Sequence, residues 1–220
     1  FLLSSNIAEV LVMFVVICLG LPSPLIAIHL LWVNLVTDSL PAIALGMDPK
    51  DPYIMRDKPR DSKEGIFAHG GMRNTLMYGA FLTFGVLITY FFPAWMEGVF
   101  SIDGINELYS NAEGITGIGH QAQTMAFTTL ALSELFHMVG MSDLKRSFVH
   151  VFKDKNWMML IAFIIGIVLQ LFVIETPGVQ DVFSVATGEY NLDGFEWGMT
   201  ILFSIFPLII HELVVFVHWI

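Results

Sequence analysis

Six long apolar stretches constrain the fold of this chain more than any other feature of its sequence. They run approximately over residues 1–20, 24–46, 72–93, 121–139, 157–174 and 197–219. A helix needs about 20 apolar residues to cross a hydrocarbon core of roughly 30 Å. Hydrophobic residues make up 55% of the 220 residues and charged residues only 14%, well below the charged share of a soluble domain. The sequence therefore predicts an all-α polytopic membrane protein, a bundle of six transmembrane helices.

The basic residues are confined to two of the connections between these stretches. Loops 47–71 and 140–156, with the residues directly beside them, carry all ten: Lys50, Arg56, Lys58, Arg60, Lys63, Arg73, Lys145, Arg146, Lys153 and Lys155. Loops 94–120 and 175–196 contain acidic residues and no Lys or Arg. By the positive-inside rule, we expect loops 47–71 and 140–156 to be cytoplasmic, together with both termini.

Charge and cysteine content exclude several classes of partner. The net charge of −10 argues against nucleic acid as a partner, because nucleic acid requires a basic face. The expected partner is membrane lipid. The single cysteine, Cys18, rules out a disulfide framework and a thiolate metal cluster. The chain opens inside an apolar stretch with no signal peptide, which we interpret as a truncated N-terminus.

Four acidic residues lie inside the apolar stretches: Glu9, Asp38, Glu134 and Glu212. No basic residue in the same stretches can pair with them, so each is costly unless it is protonated or bound to a cation. At about 1.5 Å of helix rise per residue, Glu9, Asp38 and Glu134 lie roughly 16 to 21 Å from the outer ends of their helices. Glu212 comes out at a similar depth. A functional site near the membrane midplane is the default expectation for such residues.

Polar neighbours at helical spacing accompany two of these carboxylates. Asn6 precedes Glu9 by three residues, and Thr37 and Asp38 follow Asn34 by three and four, so each set shares a helix face. All are hard oxygen donors, which suit Ca²⁺ better than Zn²⁺ or Cu⁺. The alternative is that the amides and hydroxyl only make hydrogen bonds between helices.

Pro41 predicts an interruption of the second span. A proline has no N–H, so the carbonyl of Thr37 lacks its helical donor. The sequence predicts that this helix is partly unwound near Asn34–Pro41, as happens where a helix lines an ion site.

Several motifs resemble type II P-type ATPases of the calcium-pump group. Residues 31–38, Leu-Trp-Val-Asn-Leu-Val-Thr-Asp, with Leu40-Pro41-Ala42 and Leu45-Gly46 after them, resemble that family's sixth-span signature. Residues 4–9 resemble its fifth span, residues 20–22 the outer turn, and residues 51–55 with 59–60 the next cytoplasmic loop. The resemblance covers the whole chain, 1–220, as the C-terminal membrane domain with spans five to ten. It is motif-specific over about the first 60 residues.

The resemblance implies a transport site and an activity. Asn6, Glu9, Thr37, Asp38 and Glu134 would form one calcium site, while Asn34 and Asp38 would contribute to a second that the fourth span completes. Ca²⁺ would be the transported ion, although Mn²⁺ shares these ligands, and protons would be countertransported. ATP and Mg²⁺ would act only through the remainder of the pump, the first four spans and the cytoplasmic domains. This segment alone lacks the phosphorylation and nucleotide-binding domains and should not hydrolyse ATP. Short loops favour a bacterial plasma membrane.

Two alternative functions remain open, and three polar residues within the spans are expected to be structural. A secondary cation/proton antiporter would use the same carboxylates without ATP, and a non-transporting membrane subunit would bind no ion. Glu212, beside His211, is interpreted as a helix-packing or loop-anchoring residue. His29 and His137 are expected to bond neighbouring helices rather than to bind metal.

Overall fold

The computed structural model describes residues 1–47, 65, 67, 70–143, 147–149, 151 and 156–219. Its helices, in chain order, are α1 (Leu2–Cys18), α2 (Ala27–Trp32), a π-helical turn (Val33–Thr37), α3 (Ser39–Gly46), α4 (Gly71–Met96), α5 (Ile102–Tyr109), α6 (Gly117–Met141), α7 (Trp157–Glu175), α8 (Val179–Phe183), a 3-10 turn (Gly188–Tyr190) and α9 (Gly194–Trp219). A two-stranded antiparallel ladder, β1 (Ser110–Asn111) and β2 (Gly114–Ile115), lies between α5 and α6.

These helices make the described chain an all-α polytopic membrane region, as the sequence predicts. By length and composition, four segments among the described residues can cross a membrane: Ala27–Gly46, Gly71–Met96, Trp157–Glu175 and Gly194–Val217. Helix α1 is apolar but shorter, with 17 residues, and α6 is long but carries many polar side chains. The count of six spans therefore stays a prediction. Most of loops 47–71 and 140–156, with nine of the ten basic residues, lies outside the described residues.

Helix α6 forms the centre of the bundle. It packs against α4, α7 and α9, and most of its side chains are buried. Small residues let the helices approach closely, as is usual in membranes. A Cβ at Gly166 of α7 would lie 2.6 Å from Leu135 Cδ2, and one at Gly79 of α4 would lie 2.9 Å from Ile7 Cγ2 of α1. This packing fixes Glu134, the residue beside Leu135, in the interior.

The connections that lack basic residues meet at one end of the bundle. Tyr90 of α4 donates from its hydroxyl to the carbonyl oxygen of Pro22 at 2.6 Å, and Gln123 of α6 donates to the Ser23 carbonyl at 2.7 Å. The Tyr109 hydroxyl donates to the Tyr90 carbonyl at 2.7 Å. Burial raises the pKa of the Tyr109 phenol, so it stays a neutral donor. We call this end the outer end, following the orientation predicted from the charges.

Candidate cation site

A π-helical turn separates α2 from α3 at the predicted interruption. The Asp38 amide donates to the Val33 carbonyl oxygen at 2.9 Å, five residues back, instead of to the residue four back. Asp38 itself keeps helical dihedral angles, φ −81° and ψ −36°. Pro41 lies in the first turn of α3 and has no N–H for the Thr37 carbonyl. The predicted unwinding therefore takes the form of a widened turn, a feature common at functional sites.

The first contact across the site joins α1 to this turn. The Asn34 amide nitrogen lies 3.0 Å from both Glu9 Oε1 and Glu9 Oε2. It also lies 2.9 Å from the Leu30 carbonyl oxygen. Glu9 is buried, with 7% of its surface exposed, whereas Asn34 is exposed. The amide thus supplies the donors that a buried carboxylate needs in place of a basic side chain.

The second contact joins the π-helical turn to the centre of the bundle. Thr37 Oγ1 lies 3.1 Å from Glu134 Oε2 of α6 and 3.0 Å from the Val33 carbonyl oxygen. The single hydroxyl proton can serve only one of these two acceptors at a time. Both Thr37 and Glu134 are fully buried.

Two of the buried carboxylate oxygens have no hydrogen-bond partner among the described residues. They are Asp38 Oδ1 and Glu134 Oε1. The negative charges of Glu9, Asp38 and Glu134 are close enough to interact with one another in all three pairings. Since like charges repel and buried polar atoms are normally paired, these carboxylates either carry protons or bind a cation.

Asn6 stands apart from this group. Its side chain is exposed and donates to the Leu2 carbonyl oxygen of its own helix at 2.9 Å. The described residues contain no group of three or more His, Cys, Asp or Glu side chains arranged to hold a metal ion. A cation here would therefore require amide and hydroxyl oxygens in addition to the carboxylates.

The sequence reasoning missed two further polar residues beside the site. Ser5 Oγ is buried without a partner, four residues before Glu9 on α1, and that helical spacing could have revealed it. Gln170 Oε1 of α7 accepts from Trp32 Nε1 at 3.2 Å, which attaches the end of α2 to α7 directly before the π-helical turn. A lone amide inside the apolar stretch 157–174 is the signal for Gln170.

Both histidines that were set aside do bond neighbouring helices. His29 Nε2 lies 2.7 Å from the Phe183 carbonyl oxygen of α8, and its ring stacks on Phe127 of α6 at 4.3 Å. His137 Nε2 lies 2.8 Å from Ser4 Oγ of α1.

Glu212 anchors a loop. Its Oε1 accepts from the Phe148 backbone N–H at 2.7 Å. The interpretation of this carboxylate as an anchor is therefore confirmed.

Comparison with known proteins identifies the family. A family profile described as "Cation transporting ATPase, C-terminus" matches residues 22–217. The chain belongs to this family. Among its relatives, Calcium-transporting ATPase 1 of Bacillus cereus is 34% identical over 214 residues, which are 97% of this chain and 23% of the relative. Calcium-transporting ATPase of Bacillus subtilis is 35% identical over 198 residues, 87% of this chain and 20% of the relative.

More distant members of the family extend to plants. Calcium-transporting ATPase 2, endoplasmic reticulum-type, of Arabidopsis thaliana is 26% identical over 249 residues, which cover 96% of this chain and 23% of the relative. The chain thus spans between about a fifth and a quarter of the length of these curated relatives. It corresponds to their C-terminal membrane part.

Proposed function

We propose that this chain is the ion-binding part of an ATP-driven P-type pump that transports Ca²⁺. The observation that carries the proposal is the burial of three carboxylates, Glu9, Asp38 and Glu134, in apolar helices. Asn34 and Thr37 of the π-helical turn lie within hydrogen-bond distance of Glu9 and Glu134. Membership of the cation-transporting ATPase family argues against an antiporter or a non-transporting subunit. Relatives named as calcium-transporting ATPases support Ca²⁺ as the substrate.

The proposed ligands divide by charge. Glu9, Asp38 and Glu134 supply the negative charge, while Thr37, Asn34 and Asn6 supply neutral oxygens. The Asn34 amide faces Glu9 with its nitrogen, and a cation bound at Glu9 would repel that donor. Turning the amide by half a rotation presents its oxygen instead, so the same residue satisfies the empty carboxylate and then coordinates the ion.

Protons replace the cation in the return half of the cycle. Three bare carboxylates in a low-dielectric interior are too costly to remain charged. When Ca²⁺ leaves, we expect them to take up protons from the side to which Ca²⁺ is released, and to carry them back.

Energy and the missing ligands come from elsewhere in the pump. ATP and Mg²⁺ act through the cytoplasmic domains, and the first four spans approach the exposed side of Asn6 and Asn34. This segment alone does not hydrolyse ATP. We place the pump in a bacterial plasma membrane, in keeping with its Bacillus relatives.

Equilibrium binding of ⁴⁵Ca²⁺ to the complete purified pump tests the site. Glu9→Gln and Asp38→Asn remove charge with little change of shape, and each is expected to lower the Ca²⁺ affinity at least tenfold. Glu212→Gln is the matched control, because it alters a carboxylate of similar predicted depth that accepts from the Phe148 N–H of a loop. This variant should bind Ca²⁺ like the unaltered pump. Unchanged Ca²⁺ binding in both Glu9→Gln and Asp38→Asn would contradict the assignment of these carboxylates to the cation site.

A further inference from the structure

His29 is a fully buried side chain near the outer end of α2, and it lies outside the proposed ligand set. Its Nε2 lies 2.7 Å from the Phe183 carbonyl oxygen of α8. A carbonyl only accepts, so Nε2 carries the proton and Nδ1 keeps its lone pair. The Ile26 N–H, at the start of α2, donates to Nδ1 at 3.5 Å. Both ring nitrogens of His29 are therefore used, one within its own helix and one to attach that helix to α8.

Helix α8 contacts α2 a second time through the ring of Phe183. The edge of this ring meets Trp32, with ring centroids 5.2 Å apart and an interplanar angle of 87°, a favourable arrangement for two aromatic rings. His29 and Trp32 are three residues apart and so share one face of α2. Phe183 therefore contacts a full turn of α2, the turn directly before the π-helical turn.

Helix α8 has its own attachments to the rest of the bundle. The Ala186 N–H, just after α8, donates to Thr124 Oγ1 of α6 at 2.8 Å. Gln180 Nε2 donates to the Ile174 carbonyl oxygen near the end of α7 at 2.6 Å. Since α6 also carries Glu134, α8 is fixed to the helix that supplies one carboxylate of the cation site.

Helix α2 reaches the cation site through the backbone carbonyl that follows His29. The Leu30 carbonyl oxygen accepts from the Asn34 amide nitrogen at 2.9 Å, and the same nitrogen lies 3.0 Å from both carboxylate oxygens of Glu9. A displacement of this turn of α2 would move the Leu30 carbonyl and with it the Asn34 amide. The attachment of His29 to α8 thus bears on the group that contacts Glu9.

We propose that His29 is a positioning residue for ion binding. Its hydrogen bond to Phe183 holds α2 against α8, and this fixes the Asn34 amide at the cation site. The inference rests on the proposed function, because the position of Asn34 affects transport only if this site binds Ca²⁺. Coupling between two places in a protein is reciprocal, so Ca²⁺ at the site in turn strengthens the attachment of α8 to α2.

The Ca²⁺ dependence of ATP hydrolysis by the complete purified pump tests the role of His29. His29→Leu removes the donor and is expected to raise the Ca²⁺ concentration for half-maximal activity about 3- to 10-fold, the effect of one neutral hydrogen bond, with little change in the maximal rate. His29→Gln places an amide nitrogen near the position of Nε2 and should restore the Ca²⁺ dependence of the unaltered pump.

Tyr109→Phe is the matched control. It also removes a 2.7 Å hydrogen bond to a backbone carbonyl at the outer end, but that carbonyl belongs to Tyr90 of α4, so the Ca²⁺ dependence should stay unchanged. The proposal would be overturned by an unaltered Ca²⁺ dependence in His29→Leu, or by an equal shift in His29→Gln or Tyr109→Phe.

Glu9→Gln in the same assay separates this inference from the proposed function. A shift in Glu9→Gln without one in His29→Leu would contradict only the role of His29. A shift in neither variant would contradict the cation site as well.

A second measurement needs no substitution and so does not depend on the variants folding. Hydrogen-exchange mass spectrometry compares the unaltered pump with saturating Ca²⁺ and without Ca²⁺. A peptide covering residues 180–187 should exchange about 3- to 10-fold more slowly with Ca²⁺, the same factor as the change in affinity, while a peptide covering α5 should not change. Equal exchange of residues 180–187 in both states, or slowing of equal size in α5, would also overturn the proposal.

Discussion

Glu134 depends on one hydroxyl for its contact with the second span. Its Oε2 lies 3.1 Å from Thr37 Oγ1, and its Oε1 has no partner in the part of the chain that the structure describes. A hydrogen bond to a charged group contributes about 1.5–3 kcal/mol. The position of the Glu134 carboxylate relative to Asp38 is therefore sensitive to the side chain at 37.

Replacing Thr37 measures this dependence. Thr37→Val keeps the shape but removes the hydroxyl, and we expect a loss of Ca²⁺ affinity of about 10- to 100-fold, the equivalent of one such hydrogen bond. Thr37→Ser keeps the hydroxyl and should stay within a few-fold of the unaltered pump in ⁴⁵Ca²⁺ binding. Equal losses in both variants would mean that loss of the hydroxyl alone does not explain the weaker binding, which would contradict the prediction.

For single residues of the cation site, the sequence reveals which carry charge more readily than which contact one another. Glu9, Asp38 and Glu134 stand out in the sequence because an unpaired carboxylate is costly inside an apolar stretch. The pairing of Asn34 with Glu9 joins residues 25 positions apart, which no local pattern specifies. Helical spacing grouped Asn6 with Glu9, yet Asn6 is exposed, because three residues along a helix still rotate a side chain to the edge of the buried face.

Among the helices, the contact between α1 and α4 determines where Glu9 lies. Gly79 of α4 approaches α1 so closely that an added Cβ would lie 2.9 Å from Ile7 Cγ2 and 3.2 Å from the Ser4 carbonyl oxygen. The backbone atom cannot move without shifting α1. Any side chain at 79 would therefore displace the helix that carries Glu9.

Gly79→Ala is expected to destabilise the pump by about 1–3 kcal/mol, the usual cost of overpacking, and to weaken Ca²⁺ binding. Gly46→Ala is the control, since nothing lies within 4 Å of a Cβ there. Thermal unfolding in detergent together with ⁴⁵Ca²⁺ binding would check both variants. If Gly46→Ala proved as harmful as Gly79→Ala, helix crowding would not be the cause.

The helices themselves follow well from the sequence, but their irregularity follows only in part. Pro41 correctly predicts an interruption, because the missing N–H is a property of the proline itself and can be read from the sequence. The interruption takes the form of a π-helical turn that contacts α6 and keeps Val33 and Thr37 buried. Such tertiary contacts are not encoded in any short window of sequence.

For the whole molecule, the distribution of charge predicts the orientation in the membrane. Cysteine labelling tests this prediction: Cys18, the single cysteine of this segment, and every cysteine in the rest of the pump are replaced by Ser, and one cysteine is introduced at Glu113 or at Gly65. A membrane-impermeant maleimide added to intact cells should label the 113 variant directly and the 65 variant only after permeabilisation. The reverse pattern would contradict cytoplasmic placement of loop 47–71.

Proton countertransport is also a property of the whole pump. Vesicles that contain the pump and a trapped pH dye should become more alkaline inside as ATP drives Ca²⁺ inward, because the emptied carboxylates carry protons out. The measurement is made without ionophores. A constant internal pH during Ca²⁺ uptake would rule out this exchange.

The supports of the cation site have a mechanical consequence. Helix α1, with Glu9, rests on α4, whereas α3 and the π-helical turn rest on α6 and α7. The two sides of the site are thus supported by different helices. The Asn34–Glu9 hydrogen bonds connect α1 to the π-helical turn across the space between them. A slide of α1 along α4 by a fraction of a helical turn would change the width of the gap while α6 stays still. A force applied to the exposed side of α1 would in this way convert a displacement of α1 into a change of ion affinity.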